Sequence, residues 1–367
     1  MVNLPLHGGS CPRWLFPRMK KMAGVISELI INEYGKNEFL RRLSDPYFFQ
    51  SLGCVIGFDF HSSGLTTTTC GALKESLNKK DIGLRICGGK GATSRKTLSE
   101  IENSELSTSK IDKLKYASKA VAKSDSGLIQ DGYGLYQHSF VFTDEGKWAV
   151  IQQGMNERYA RRYHWLSNNI SSFSEHMNPV CGQRMEDRVL NLASVKSRDN
   201  KKASLDLVKD NPEHLKKYIR NNIRKPRESQ STLNNFRPIE EFSFTGQHTI
   251  AEMNKVNYET LKKACEIQPS NFEELMMLKG VGGRVIRSLS LISEIVYGNE
   301  ASWRDPIKYS FAHGGKDNIP YPVDKKLMDD NVRFLKGAVS NAELGYIEKR
   351  KALEKLKSFF CMKIKKK

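Results

Sequence analysis

Two helical patterns joined by a five-residue turn with three glycines constrain this chain of 367 residues more than any other feature. Phe272 to Leu278 reads as the end of a short helix and Lys279-Gly280-Val281-Gly282-Gly283 as a tight hairpin. Arg284-Val285-Ile286-Arg287-Ser288-Leu289 then begins the next helix. Glycine tolerates the positive φ angles that so sharp a reversal needs. Val281 stands where it would plug the gap between the helices. Amides at the start of the second helix would face outward, where they can hold a phosphate without reading sequence. An ordinary glycine-containing αα-turn is the competing interpretation.

The rest of the chain divides by pattern. Leu15, Met19, Met22, Ile26 and Leu29 recur at steps of four and three, one face of a helix starting near Pro12. Cys54-Val55-Ile56-Gly57-Phe58 is a continuous apolar run and predicts a buried strand. His138 to Phe142 and Trp148 to Ile151, separated by Thr143-Asp144-Glu145-Gly146-Lys147, predict a β-hairpin. Helical patterns follow over 250–265, 272–277, 285–296 and from Leu327 onward. The predicted fold is α+β. An N-terminal mixed α/β domain covers 1–155, and a basic helical connector and linker covers 156–235. An all-α domain built on the glycine hairpin covers 236–347, and a basic tail covers 348–367.

Charge narrows the partner. Lys and Arg number 59 against 41 Asp and Glu, a net of +18, while 39% hydrophobic residues and 17 Phe are too many for a disordered chain. Fourteen of those surplus charges sit in two segments, 196–227 and 348–367, each with a net of +7. Two basic runs on a folded protein point to a polyanion, with a solvated face as the alternative. The chain contains no run of eighteen apolar residues, which excludes a membrane span, and Met1 to His7 lacks the pattern of a signal peptide. Seven scattered Cys without a C-x-x-C pair support neither a zinc ribbon nor a disulfide framework. A reduced, cytoplasmic protein is the expectation.

Three stretches of the N-terminal half carry candidate chemistry. Gly88-Gly89-Lys90-Gly91-Ala92-Thr93-Ser94-Arg95-Lys96 offers backbone amides and the cations Lys90, Arg95 and Lys96 to an anion. It does not fit G-x-x-x-x-G-K-[ST], so nucleotide hydrolysis is rejected, and the stretch reads as a phosphate-backbone contact or else as a flexible loop. Arg158 to Trp165 interleaves cations with rings, a pattern in which Arg161 and Arg162 would bind phosphates. If that stretch is an amphipathic helix, its rings are core instead. Asp59 and His61 would leave a strand from one face and, with His138, could hold a divalent metal. Otherwise Asp59 caps a turn and His61 is a hydrogen-bonded core histidine.

The spacing L-x-G-V-G-x-x-x-I-x-x-L over 278–289 resembles the helix-hairpin-helix motif of DNA-binding proteins. Downstream, Ile319-Pro320-Tyr321-Pro322-Val323-Asp324 leads into Lys325-Lys326-Leu327-Met328. This looks like the proline-rich loop and aspartate of the helix-hairpin-helix base-excision DNA glycosylases, closest to the Pro-Val-Asp version of archaeal 8-oxoguanine DNA glycosylases. The resemblance covers about 245–340, where Gly280, Val281 and Gly282 match the hairpin and Asp324 the catalytic aspartate. Bifunctional members carry a nucleophilic lysine where this chain has Arg284, which stays protonated and forms no Schiff base. Over its whole length the chain is also similar to an uncharacterised family common in thermophilic archaea, whose His-Ser-Ser-Gly and Gly-Gly-Lys-Gly stretches stand at 61–64 and 88–91.

The resemblance implies a DNA-repair glycosylase with Asp324 as catalytic group, no cofactor, and DNA gripped by Gly280, Val281, Gly282, Gly283 and Arg284. RNA stays open as a partner. Two alternatives remain: a metal-dependent nuclease using Asp59, His61 and His138, and a nucleic-acid-binding protein without chemistry. Asp324 could equally serve only as the cap of the helix starting near Lys325.

Overall fold

The computed structural model describes residues 11–58, 62–182, 185–210, 213, 258–308 and 325–361. A five-stranded antiparallel sheet in the order β1-β3-β4-β5-β6 forms its centre. The strands are β1 (Leu84–Lys90), β3 (Gly134–Thr143), β4 (Trp148–Met155), β5 (Ala160–Leu166) and β6 (Val180–Cys181). A two-stranded ribbon pairs β2 (Ile129–Gln130) with β7 (Leu190–Asn191). The fold is α+β, with helices on both sheet faces.

Side-chain alternation explains why both faces are covered. Leu84, Ile86, Val141, Ala149, Ile151 and Leu166 join one core, and Cys87, Phe140, Phe142, Trp148, Val150 and Trp165 join another. The first core is closed by α1 (Phe16–Tyr34), α2 (Lys36–Leu43), α3 (Pro46–Val55) and α4 (Gly64–Leu77). The second is closed by α5 (Thr97–Glu102) and α6 (Thr108–Lys123). A third core lies beyond β5. There α7 (Arg198–Lys209) packs with α8 (Tyr258–Ile267), α9 (Phe272–Met277) and α10 (Gly283–Tyr297).

The strand predicted over 54–58 is corrected. Cys54 and Val55 end helix α3, and the chain turns at Gly57 with φ +120°. All ten residues of α3 are buried, so no 3.6-residue stripe marks it as helical. Its start is written in Asp45-Pro46. The Asp45 carboxylate accepts from the amides of Tyr47 and Phe48 at 2.8 and 3.3 Å, and proline occupies the first helical turn.

The expected domain boundaries differ from the packing. β5, within the expected connector, pairs with β4 from Ala149↔Leu166 to Met155↔Ala160. Helix α11 (Lys325–Asn341) packs through Leu335, Ala338 and Val339 into the core of the N-terminal helices. The basic tail at 348–367 reads from the sequence as a helix that frays toward its lysine-rich end. As far as Cys361 it belongs to α12 (Tyr346–Cys361), anchored by Ala352 and Leu356 in that same core. No described helix is long and apolar enough to cross a membrane.

Arg161 and Arg162, expected at a phosphate, are fully buried neighbours on β5 whose side chains leave opposite faces. Arg161 Nη1 donates to Asp131 Oδ2 and to Asp305 Oδ1, each at 3.0 Å, and Nη2 donates to Asp305 Oδ2. Arg162 donates to Gln50 Oε1 at 3.1 Å and Thr66 Oγ1 at 3.2 Å, and lies over the Phe49 ring. Neither guanidinium reaches a ligand at the surface. Removing one partner of a buried pair strands the other charge, at a cost of about 3–5 kcal/mol. Asp305→Ala should lower the unfolding free energy by that amount in urea titration.

Asp125 supplies a pH test of the same interior. Its carboxylate accepts from Trp165 Nε1 at 2.8 Å, and burial pushes its pKa from 3.8 to about 8. A carboxyl protonated in the folded state and ionised in the unfolded one loses stability as pH rises from about 4 to about 8, by at most ~1.4 kcal/mol per unit. Asp125→Asn should flatten that slope in urea titrations across this window. A slope unchanged by the substitution would assign it to another group.

Candidate nucleic-acid interface

The glycine turn folds as the spacing predicts. Asn271 caps α9 by accepting from the Glu274 amide at 2.9 Å, and Glu274 accepts from the Ser270 amide at 2.8 Å. The chain reverses at Gly280, where φ is +89° and an added Cβ would lie 2.9 Å from Thr260 Oγ1. Val281 donates its amide to Leu278 O at 3.2 Å and buries its side chain with Leu261, Leu275 and Ile286. Gly282 is the extended cap of α10, with no side-chain cap.

The first helical bond of α10 runs from Ile286 N to Gly282 O at 3.1 Å. That leaves the amides of Gly283, Arg284 and Val285 without intrahelical acceptors. Lys279, Gly280, Gly282 and Arg284 are exposed around them. An open helix start flanked by two cations suits an anion.

The opposite side of the turn is sealed from within. Lys123, the last residue of α6, donates its ammonium to Met276 O at 2.6 Å, Leu278 O at 2.8 Å and Val281 O at 3.0 Å. All three of its protons are used. Desolvation pulls its pKa below the usual lysine value. Gln130 Nε2 donates to Gly283 O at 2.8 Å, and Tyr116 Oη donates to Glu273 Oε1 at 2.7 Å. Three carbonyls of the turn are therefore taken up by a fixed cation, while the start of α10 carries no side-chain cap. No local signal in the sequence marks Lys123, because its partners lie more than 150 residues away.

The glycine-rich stretch at 88–96 behaves differently from expectation. Gly88 donates its amide to Glu100 Oε2 at 2.7 Å, so the anion it faces belongs to the protein. A Cβ on Gly88 would lie 2.2 Å from His138 O, so this glycine serves close approach of β1 to β3. Lys90, Arg95 and Lys96 remain exposed on the strand end and the following 3-10 turn.

His138 is not available to a metal. Its Nε2 bonds Ser118 Oγ at 2.9 Å, its Nδ1 bonds Gln152 Oε1 at 2.7 Å, and burial holds its pKa below the usual value. Among the described residues no group of three His, Cys, Asp or Glu side chains could hold a metal ion. Asp59, His61 and Asp324 lie outside the described residues.

Residues 1–323 match a family described as a protein of unknown function (DUF763), and the chain belongs to that family. No curated protein and no solved structure matches it significantly.

Lys123→Met keeps the length of the side chain and removes the charge. Three carbonyls then lose a charge-assisted donor, which should cost about 2–3 kcal/mol. Hydrogen exchange at the Val281 amide should accelerate with it. Unchanged stability and unchanged exchange would show the hairpin to be rigid without this cation.

Proposed function

We propose that this chain is a DNA-binding repair protein whose hairpin Leu278–Gly283 seats a backbone phosphate on the open start of α10. The observation that carries the reading is the turn itself: Lys123 holds its carbonyls, and the uncapped start of α10 lies between exposed Lys279 and Arg284. Such contacts position a duplex without reading bases. The net charge of +18 adds long-range attraction to a polyanion.

The chemistry we assign is hydrolysis of an N-glycosidic bond, with Asp324 stabilising the positive charge that builds on the sugar and orienting the attacking water. Arg284 at the position of the nucleophilic lysine makes the expected product an intact abasic strand. A nucleic-acid-binding protein without chemistry is the second reading. What favours it is the packing of α11, the helix starting one residue after Asp324, on the N-terminal helices through Leu335 and Val339. The metal-dependent nuclease loses support because both ring nitrogens of His138 are already bonded.

Lys279→Glu with Arg284→Glu should weaken duplex binding about tenfold or more and reduce the slope of log K against log salt by about two. Asp324→Asn should keep duplex affinity and abolish base release across a panel of lesion-bearing oligonucleotides. Wild-type binding without release of any base decides for the non-catalytic reading, and a fully active Asp324→Asn protein removes that residue from the chemistry.

A further inference from the structure

Three features that the hairpin leaves unused meet in one cleft of about 1390 Å³. Ser62, Ser63 and Gly64 line it at the start of α4, Gly88, Gly89 and Lys90 at the end of β1, and Lys351 and Lys355 from the basic helix α12. These stretches are far apart in the chain, and the fold gathers them on one side of the sheet's β1 edge. The volume exceeds the ~300–1,000 Å³ of ordinary small-ligand pockets. An extended ligand fits that space better than a compact one.

The electrostatics select an anion. Five described cations line the cleft, Arg18, Lys74, Lys90, Lys351 and Lys355, against two carboxylates, Glu75 and Glu348. Both carboxylates are already paired with other lysines, Glu75 with Lys20 and Glu348 with Lys21, each at 3.2 Å. Lys74 is held by Glu100 at 2.7 Å, and Lys355 donates to Gly57 O at 2.8 Å. Lys90 and Lys351 are exposed and pair with no carboxylate among the described residues. Helix α4 starts in the cleft and adds the positive end of its dipole.

Aromatic surface lies beside the charge. Trp14 is 63% exposed at the rim, with the Arg18 guanidinium 5.7 Å from its ring centre. Half-buried Phe58 and Tyr136 line the wall, and Gln153 Nε2 donates to the Tyr136 hydroxyl and fixes that ring. Cations beside exposed rings match phosphates beside unpaired bases, since every base offers a face to stack on.

Tyr136 lies six residues from Gln130, whose side chain bonds Gly283 of the hairpin. Six residues span at most about 20 Å, which keeps the two backbone positions within the length of a few nucleotides. We infer that the cleft receives an unpaired stretch of the strand whose duplex part the hairpin holds, taking phosphates on Lys90 and Lys351 and bases on Trp14 and Phe58. This rests on the hairpin as a phosphate grip, and the test separates the two.

The test uses fluorescence anisotropy of the full chain with a blunt duplex and with the same duplex carrying an unpaired extension of about eight nucleotides. Wild-type protein should bind the extended probe more tightly. Lys90→Glu with Lys351→Glu should remove that advantage, about tenfold, and leave the blunt duplex within about twofold. Trp14→Ala should remove part of the advantage without changing the salt slope, because stacking releases no counterions. These positions are at the surface, and circular dichroism verifies that the variants are folded. If only the hairpin variant Lys279→Glu with Arg284→Glu loses affinity and the cleft variant keeps the full extension advantage, the cleft assignment is overturned and the hairpin reading stands. If the cleft variant loses the advantage while the hairpin variant binds blunt duplex normally, the cleft assignment is upheld and the hairpin reading falls. A nucleoside monophosphate that competes as well as the unpaired strand would assign the cleft to a free nucleotide and overturn it.

Discussion

One buried guanidinium holds the C-terminal return of the chain to the sheet. Arg161 on β5 is clamped between Asp131, just before β3, and Asp305, in the segment that follows α10. Tyr163 Oη adds a bond to Asp131 at 2.6 Å, and Asp305 also accepts from the amides of Glu186 and Ile307 at 2.7 and 3.0 Å. Two carboxylates and their donors compensate the desolvation that makes a buried charge costly. Because α9 and α10 precede Asp305, this clamp also limits where the hairpin can lie.

The hairpin's polarity follows from that placement. Once α10 packs against the turn at Ser124–Leu128, Lys123 comes within reach of three turn carbonyls. An added Cβ on Gly283 would lie only 3.2 Å from Ser126 O, so glycine is what permits this close approach. The carbonyl side of the turn is thus spent on an internal cation. The uncapped start of α10 remains, with exposed Lys279 and Arg284 beside it. Local sequence, a long-range lysine and tertiary packing reach the same geometry from different directions.

What was legible in the chain was what local chemistry determines. The glycine turn, the stripe of α1 and the β3–β4 hairpin each carry a period or a residue type that few conformations tolerate. Helix α3 was illegible as a helix because burial on all sides erases its stripe. β5 was misread because buried arginines look like surface arginines until their partners are known. Asp131, Asp305 and Gln50 lie 30, 144 and 112 residues away. The glycines at 88–91 suggested an anion nest, yet one of them serves strand packing and an internal carboxylate. The basic C-terminal segment was legible as a helix, but not its docking through Ala352 and Leu356 nor the lysines it turns toward the cleft.

A phosphate seated on the start of α10 must act on three particular amides. Backbone amide shifts of Gly283, Arg284 and Val285, followed by NMR during titration with a short duplex, test this most directly. Hydrogen bonding to phosphate should move these resonances downfield and saturate together with binding, while the Val281 amide, bonded to Leu278 O, stays in place. Saturable binding with these three amides unmoved and the perturbations confined to other surfaces would contradict it.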